Sequence, residues 1–324
     1  MKPILSLKNY CAFFNTRRGI IKAVNGVSYD LFPGETLAIV GESGSGKSVS
    51  QLSYLGLLKF SPLQIMGGQV LFEDQDLLKL PEKSLRKIRG NKISMIFQEP
   101  MTSLNPYLKI GTQVIEPLLI HRQKTKKEAW KIATEALERV GISRASESMN
   151  GYAHELSGGM RQRVMIAMAL TTDPQVLIAD EPTTALDVTV QAQILELLKS
   201  IQKEKKMAMI LITHDLGIVA NCAHQVVVMY AGRVFEKGNV EDVFYHSKHP
   251  YTQALLKSTP RIDREDKELP VISGNTPDLI HLHEGCPFEN RCGYAKEVCR
   301  TEFPSESLIQ SGHSRFCHAE MDGP

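Results

Sequence analysis

The sequence predicts an α/β protein organised around a phosphate-binding loop, with a helical insertion and a small C-terminal extension that contains cysteines. Three observations lead to this prediction. A glycine-rich stretch at Gly41–Ser48 lies between an apolar segment and a segment with helical spacing. Further short apolar segments, each followed by polar or acidic residues, predict buried strands. Residues 261–324 have little periodicity and hold most of the 6 cysteines.

The N-terminal residues 4–35 alternate between apolar and polar side chains, which predicts antiparallel strands ahead of the glycine-rich loop. Phe14 falls in the predicted loop between the first two strands. An aromatic ring there could stack on a nucleotide base, whereas an isolated aromatic residue more often packs in a core.

The glycine-rich stretch Gly41–Ser48 matches the phosphate-binding pattern G-x-x-x-x-G-K-[ST] in its strand, loop and helix setting. Its backbone N–H groups can converge on one anion, and the N-terminus of the next helix adds positive charge. The loop positions expected to face phosphate are Gly41, Ser43, Gly44 and Gly46. Lys47 can reach the β- and γ-phosphates, and the Ser48 hydroxyl can ligate Mg²⁺. The stretch therefore predicts a nucleoside triphosphate site.

Three more short apolar segments predict strands of the same sheet, at residues 93–97, 176–180 and 207–212. The polar residues at their carboxyl ends are Gln98, Asp180, Glu181 and His214. Ligands of open α/β sheets gather at this edge, so these side chains are expected to meet the bound nucleotide. Asp180 is expected to hold Mg²⁺ through water, Glu181 to activate the attacking water, and His214 to contact the γ-phosphate.

A helical insertion is predicted from about residue 99 to residue 156, because the composition changes there. Residues 99–106 contain two prolines and an asparagine, which is typical of a loop. Small and apolar residues then recur with helical spacing up to Val140, and Gly141 is expected to end that helix.

The segment L-S-G-G-M-R-Q-R at residues 156–163 predicts the start of another helix. Ser157 is a suitable N-cap, and Gly158 and Gly159 leave backbone N–H groups accessible. A helix N-terminus of this kind is a second anion site, without the lysine of the first.

The composition argues against several classes of protein. A formal net charge of +2 gives no indication of a nucleic-acid-binding protein. No apolar run approaches the roughly 20 residues that span a bilayer, and the first residues lack the features of a secretion signal. The expected location is the cytosol, or a membrane that another subunit spans.

Four cysteines cluster near the C-terminus: Cys286, Cys292, Cys299 and Cys317. In a reducing compartment such a cluster favours a metal site over disulfides. The spacing lacks both the C-x₂-C pairs of zinc ribbons and the short run of bacterial ferredoxins, so it does not identify the metal. Zinc remains an alternative, as does the absence of any metal. Histidines that could substitute as zinc ligands are His281, His283, His313 and His318.

In their order along the chain, these motifs resemble the ATP-binding subunits of ABC transporters. The resemblance covers the phosphate-binding loop, Gln98, the L-S-G-G segment, the L-I-A-D-E-P strand, Ala185–Asp187 and His214. Residues 98–106, residues 249–256 and the cysteine-bearing tail are similar to the dipeptide/oligopeptide permease branch.

The resemblance implies a P-loop NTPase (RecA-like) core with an antiparallel β subdomain and a helical insertion. An ABC ATP-binding domain is expected at residues 1–260, followed by the extension at residues 261–324. Each ATP is expected between one subunit's phosphate-binding loop and Ser157–Gly159 of its partner. Phe14 then corresponds to the adenine-stacking aromatic residue, and Asp187 lies at the dimer seam. The branch also implies a [4Fe–4S] cluster on the four tail cysteines.

The function that the resemblance implies is hydrolysis of ATP, with Mg²⁺, to drive uptake of dipeptides or oligopeptides. The expected partners are a second ATP-binding subunit, a paralogue, together with two membrane-spanning permease subunits and an extracytoplasmic solute-binding protein, without nucleic acid. The expected location is peripheral, on the cytoplasmic face of the cell (inner) membrane. Import of another solute such as a metal chelate, a role in an exporter, and a soluble ABC ATPase of DNA repair or translation are alternatives.

Overall fold

The computed structural model describes residues 1–98, 103–184, 186–258 and 272–321. The charged linker at residues 261–269, the predicted domain boundary at residue 260, Ala185 and the first part of the loop after Gln98 lie outside the described residues. The chain divides into two compact units. Unit one comprises Met1–Lys79 and Leu211–Pro324, and unit two comprises Leu80–Ile210.

The strands, in chain order, are β1 Leu5–Thr16, β2 Gly19–Leu31, β3 Thr36–Val40, β4 Leu63–Phe72, β5 Gln75–Asp76, β6 Ile93–Ile96, β7 Val176–Asp180, β8 Ala208–Ile212, β9 Gln225–Tyr230, β10 Arg233–Asn239, β11 Ser307–Gln310 and β12 His313–Arg315. The α-helices are α1 Lys47–Tyr54, α2 Glu82–Ile88, α3 Ile110–His121, α4 Lys126–Arg139, α5 Ala145–Ser148, α6 Gly158–Leu170, α7 Val188–Lys205, α8 Leu216–Cys222, α9 Val240–Tyr245, α10 Pro250–Lys257 and α11 Val298–Thr301. No helix among the described residues has both the length and the hydropathy to cross a bilayer.

Unit one contains the predicted antiparallel sheet, in the order β2-β1-β4-β5. The expectation that Phe14 lies in a loop is wrong, because Phe14 is a residue of β1 and pairs with Ile21 of β2. The connection needs only a two-residue turn at Arg17–Arg18, so both strands extend further than the alternation of the sequence indicates.

Unit one also contains β3, which pairs in parallel with β9, while β9, β10, β12 and β11 follow as antiparallel neighbours. The extension supplies β11 and β12 and shares a hydrophobic core with β9 and β10. In that core Phe288 contacts Tyr230 and Tyr251, with ring centroids 5.4 and 5.2 Å apart. The buried Cys286 and Cys299 belong to the same cluster. The described part of the extension is therefore packed into unit one.

The helix α1, which follows the glycine-rich loop, buries a polar face. Its buried residues include Ser50, Gln51 and Tyr54, whereas Val49 and Leu52 are only half-buried. Hydrogen bonds replace apolar packing here: the Tyr54 hydroxyl donates to Gln51 Oε1 at 2.7 Å, and the Gln51 amide donates to the Tyr29 hydroxyl at 2.9 Å. The network fixes α1 on the antiparallel sheet of unit one.

Unit two contains the parallel pair β6 and β7, with Ile93 opposite Val176. It also contains the helical insertion, in which α3 and α4 pack against each other and against α6. The predicted amphipathic helix is confirmed as α4, which begins with a capping box at Thr125 and is followed by Gly141 at a φ of 80°. Its buried residues are Ala129, Ala133 and Leu137. In α7, Ile194, Leu198 and Ile201 are buried, while Leu197 is half-buried.

Candidate active site

The glycine-rich loop of unit one begins at the end of β3, whose residues are all buried. Two of its glycines are required by close backbone contacts. A Cβ at Gly41 would lie 2.0 Å from the Met229 carbonyl oxygen, and one at Gly46 would lie 2.1 Å from the Ala23 carbonyl oxygen. Both residues also have positive φ angles, of 146° and 94°. Only glycine fits these positions, since any side chain would collide with main chain.

Lys47 is the first residue of α1, and its ammonium group is drawn back over the loop. It donates hydrogen bonds to the carbonyl oxygens of Gly41 and Glu42, at 2.8 and 2.9 Å. Gly46 is the N-cap and supplies no side-chain acceptor to the first turn of the helix. A loop of this kind, with converging backbone and a lysine, is built to bind phosphate.

In unit two, Asp180 and Glu181 lie at the carboxyl end of β7. Asp180 is 3% exposed. Glu181 adopts a φ of 46°, and its Oε2 accepts hydrogen bonds from the Gln98 amide at 2.9 Å and from the Thr184 hydroxyl at 2.8 Å. The structure thus brings Gln98 and Glu181 into contact. A carboxylate in such a position can act as an acceptor for the proton of a water molecule.

The L-S-G-G segment, also in unit two, forms the predicted helix start. Ser157 is the N-cap of α6, and its hydroxyl accepts a hydrogen bond from the Met160 N–H at 3.3 Å. A Cβ at Gly159 would lie 2.9 Å from Val190 Cγ1, so the first turn of α6 packs closely against α7. Asp187 caps α7 by accepting a hydrogen bond from the Val190 N–H at 2.9 Å. Asp187 therefore also has a local structural role, because it holds the helix against which the segment packs.

Phe14 and His214 both belong to unit one. Phe14 is half-buried on β1, and His214 is exposed directly after β8. The turn that carries His214 is fixed on its far side, where the Asp215 carboxylate caps α8 through the Gly217 and Ile218 N–H groups, at 2.8 and 3.2 Å. A fixed turn keeps the imidazole at the carboxyl end of the strand, as the sequence predicts.

Comparison with known proteins identifies the family. Residues 24–184 match the sequence profile of the ABC transporter family, and residues 235–299 match that of the oligopeptide/dipeptide transporter C-terminal region. The dipeptide transport ATP-binding protein DppD of Bacillus subtilis is 50% identical over 317 residues, which cover 98% of this chain and 95% of that protein. The chain belongs to the ATP-binding proteins of ABC transporters.

Two further comparisons support the assignment of this ABC ATPase. The oligopeptide transport ATP-binding protein OppD of Escherichia coli is 49% identical over 319 residues, covering 98% of this chain and 94% of that protein. A solved dimeric ATP-binding cassette, in a post-hydrolysis state with ADP and phosphate, aligns with a TM-score of 0.65 and 30% identity. That alignment covers 73% of this chain and 98% of the cassette. The predicted P-loop NTPase fold and the resemblance to the peptide-permease branch are confirmed.

The four tail cysteines of the ABC ATPase line one small cavity. Its volume is about 20 Å³, roughly the space of one water molecule, and Cys286, Cys292, Cys299 and Cys317 all border it as free thiols. Burial raises the pKa of Cys286 to about 12 and also raises the pKa of Cys292 and Cys317. Burial thus favours the protonated thiol over the thiolate at Cys286, Cys292 and Cys317.

The fit of this cavity to a metal is mixed. The donor chemistry suits iron–sulfur or zinc, and His318 borders the cavity beside the thiols. Yet among the described residues no group of three or more His, Cys, Asp or Glu side chains is arranged to hold a metal ion. Two of the histidines considered as zinc ligands have other partners, since His281 bonds to Asp278 and His313 to the buried Glu236.

Two residues that contact the glycine-rich loop are not among the site residues that the sequence predicts. The Tyr251 hydroxyl accepts a hydrogen bond from the Glu42 N–H at 2.9 Å. Arg291 forms an ion pair with the Glu42 carboxylate. Tyr251 lies within residues 249–256, the segment that resembles the peptide-permease branch. That resemblance draws attention to Tyr251 but does not predict its contact with the loop. Arg291 is 249 residues from Glu42, so local sequence patterns do not connect the two.

Proposed function

We propose that this chain is the ATP-hydrolysing subunit of an importer of dipeptides or oligopeptides, bound peripherally to the cytoplasmic face of the cell membrane. The observation that carries the proposal is the match along almost the whole chain to peptide transport ATP-binding proteins. It extends through the C-terminal region, which has its own oligopeptide/dipeptide transporter profile.

In the proposed mechanism, ATP is the substrate, and bound Mg²⁺ would neutralise charge on the phosphates. Ser48, Gln98 and Asp180 are the residues that would hold the metal, directly or through water. Lys47 and the loop N–H groups bind the β- and γ-phosphates. Glu181 accepts a proton from the attacking water, a contribution of about 10²–10⁴ in rate. His214 donates to the γ-phosphate as its negative charge develops.

The proposed active form is a pair of ATP-binding subunits, the second being a paralogue. Ser157, Gly158 and Gly159 would present the N-terminus of α6 to the ATP of the partner subunit. This assignment accounts for an anion-binding helix start that lacks a lysine of its own. Phe14 would stack on adenine in its own subunit, and Asp187 would lie near the seam, where it already caps α7.

We propose that the loop after Gln98 and the following residues grip a cytoplasmic helix of the permease. Unit two exposes large apolar side chains in this part of the chain, with Tyr107 88% and Ile120 64% exposed. These exposed side chains are available to pack against an apolar face of a partner helix. Ser103 and Asn105 lie in this segment and are suitable positions for a cross-linker. Cross-linking from them should yield adducts with a membrane subunit in the assembled complex.

For the tail, we propose that the four thiols hold a [4Fe–4S] cluster, with zinc as the alternative metal. The observation in favour is that all four cysteines border one cavity. Metal binding would require loss of the thiol protons and a rearrangement of the cavity wall. Iron, sulfide and zinc analysis of anaerobically purified protein distinguishes the alternatives, with a variant in which all four cysteines are serine as control.

The proposed function is tested by the assembly of the subunit with its transporter partners and by the stimulation of its ATPase activity in that complex. The subunit should co-purify with two membrane-spanning proteins, a second ATP-binding subunit and a solute-binding protein. Its ATPase activity in that complex should rise when the solute-binding protein carries a di- or oligopeptide. Stimulation by a metal chelate and not by peptides would reject the substrate class, and co-purification with neither membrane subunit would reject the import role.

A further inference from the structure

The C-terminal extension contacts the phosphate-binding loop through the side chain of Arg291. Its guanidinium binds the Glu42 carboxylate in two places, with Nη1 2.7 Å from Oε2 and Nη2 3.0 Å from Oε1. Glu42 is the second residue of the loop, next to Gly41. Paired hydrogen bonds of this fork geometry are among the strongest that side chains form. The two residues lie in the same unit, so the contact is internal to unit one.

The arginine is held rigidly by the extension itself. Its side chain is only 6% exposed, against 22% for Glu42. Its Nε donates to the Ser273 carbonyl oxygen at 3.0 Å, and Nη2 donates to the Ile272 carbonyl oxygen at 3.2 Å. Nη1 also donates to the Tyr230 hydroxyl at 2.9 Å. Because these partners fix its direction, Arg291 presents a preorganised cation to the loop.

A second contact fixes the backbone of the same loop residue, since the Tyr251 hydroxyl accepts a hydrogen bond from the Glu42 N–H. The carbonyl oxygen of Glu42 accepts one from Lys47, at 2.9 Å. The N–H, carbonyl and carboxylate of Glu42 are therefore all engaged. The position of this residue in turn sets the path of the loop from Gly41 to Lys47.

The extension also forms a wall beside the loop. A cavity of about 150 Å³ is lined by Glu42–Ser45 of the loop, by Tyr230, and by Thr276, Pro277 and Leu279 of the extension. The loop that is predicted to receive phosphates thus faces residues of the extension within unit one.

Charge gives this contact a role in ligand binding. Glu42 is the acidic residue of Gly41–Ser48, a loop that must receive a polyanion. An uncompensated carboxylate there would repel the phosphates, and its partial burial would make the repulsion stronger than in water. The ion pair with Arg291 removes that repulsion.

We propose that Arg291 is a positioning residue for nucleotide binding: from the C-terminal extension it neutralises Glu42 and holds the phosphate-binding loop of the same subunit. The extension thereby sets the affinity of the subunit for nucleoside triphosphates. The proposal rests on the ATP-binding function proposed above, but it needs neither a transport substrate nor a metal in the tail.

The test is a titration of the full-length chain with Mg²⁺-ATP, using four variants. Arg291→Ala should raise the Kd about tenfold, because it exposes the phosphates to the Glu42 charge. Glu42→Gln in the Arg291→Ala background should restore the Kd to within about threefold of wild type, since the repelling charge is then gone. Glu42→Gln alone should bind ATP more tightly than Arg291→Ala, because it removes the repelling charge together with the ion pair. Arg300→Ala is the matched control, because Arg300 belongs to the same extension and pairs with Glu289 away from the loop.

Further readouts separate this role from mere packing. The effect of Arg291→Ala should shrink at high ionic strength, and it should appear in the KM for ATP while kcat at saturating ATP changes little. Equal weakening in the single and double variants would overturn the electrostatic role. An unchanged Kd for Arg291→Ala would overturn the proposal altogether.

A second pair of variants keeps the proposal testable if Arg291→Ala does not fold. Arg291→Lys keeps the positive charge, and Arg291→Gln keeps much of the length without it. The lysine variant should bind ATP within about threefold of wild type and the glutamine variant about tenfold more weakly. Equal affinities for the two would overturn the proposal. Loss of ATP binding in wild type and Arg300→Ala alike would instead reject the nucleotide site itself.

Discussion

At the scale of single residues, Glu181 is the side chain whose surroundings best match a chemical task. Its carboxylate is oriented by two neutral donors, the Gln98 amide and the Thr184 hydroxyl. A carboxylate oriented in this way is suited to accept a proton from a water molecule, as a general base does.

Replacing Glu181 by glutamine should therefore stop turnover without removing the nucleotide. We expect ATP hydrolysis, measured as phosphate release, to fall by about 10²–10⁴, while the Kd for ATP stays near that of wild type. The ATP-bound dimer should accumulate and be visible by size-exclusion chromatography. Glu196→Gln, on the exposed side of α7, is the control. Turnover at the wild-type rate in Glu181→Gln would reject the base assignment.

For Lys47 we expect the opposite effect of substitution, a loss of ATP binding, because its ammonium group is expected to contact the phosphates. Its ammonium group lies over the loop within hydrogen-bonding distance of two loop carbonyl oxygens. Lys47→Ala should abolish measurable ATP binding in an equilibrium titration, since the phosphates lose their only fixed cation from the loop. Lys59→Ala, in the same unit, should bind ATP as wild type does. Retained affinity in Lys47→Ala would contradict the role of the loop.

At the scale of elements, Gly44 and Gly46 allow two reasons for a glycine to be distinguished. One is a backbone conformation that disfavours side chains, and the other is a lack of space for a Cβ. Both have positive φ, at 78° and 94°. A Cβ at Gly46 would meet the Ala23 carbonyl oxygen at 2.1 Å, whereas one at Gly44 would meet nothing within 4 Å. The same substitution therefore tests two different costs.

Gly44→Ala should lower the free energy of unfolding by about 1–2 kcal/mol, the cost of a left-handed conformation. Gly46→Ala should lower it by about 3 kcal/mol or more, because overpacking adds to that strain. Chemical denaturation of the full chain measures both. Equal losses in the two variants would mean that the contact between the loop and the β2 backbone does not restrict Gly46.

The elements also show what sequence patterns can and cannot predict. Apolar runs predicted β3, β6, β7 and β8 and the polar residues at their ends. Parallel strands that are buried on both faces consist of nearly continuous apolar residues, so they can be recognised in the sequence. The face of α1 was not predictable in this way. Gln51 and Ser53 are buried there because Tyr29 and Tyr10, from distant strands, bond to them. A polar residue with a buried partner looks the same in sequence as an exposed one.

Local sequence patterns also failed to predict the position of Phe14 in a strand and the contact of Arg291 with Glu42. Phe14 was expected in a loop because alternation does not show how tight a hairpin turn is, and a register shift before Phe14 interrupts the pairing. Arg291 meets Glu42 only because the extension packs against β9 and β10. A contact between residues so far apart in the chain is a property of the fold, and no local spacing encodes it.

At the scale of the whole molecule, the question is how ATP turnover is coupled to a membrane partner. Unit two carries Gln98 in contact with Glu181, and the chain then continues through the exposed Tyr107 toward α3. A partner that binds this segment would be close, along the chain, to Gln98, which contacts the proposed general base Glu181. The proposed docking surface is therefore the natural route for coupling.

This route is tested by charging the apolar surface. Tyr107→Glu and Ile120→Glu should each abolish co-purification with the membrane subunits, because burying an unpaired carboxylate in an apolar contact costs several kcal/mol. ATP binding by the isolated subunit should be unchanged. Phe60→Glu is the matched control, since Phe60 is fully exposed in unit one. If Phe60→Glu disrupts assembly and the unit two variants do not, the permease docks on unit one, and coupling must then pass through the phosphate-binding loop and the extension that contacts it.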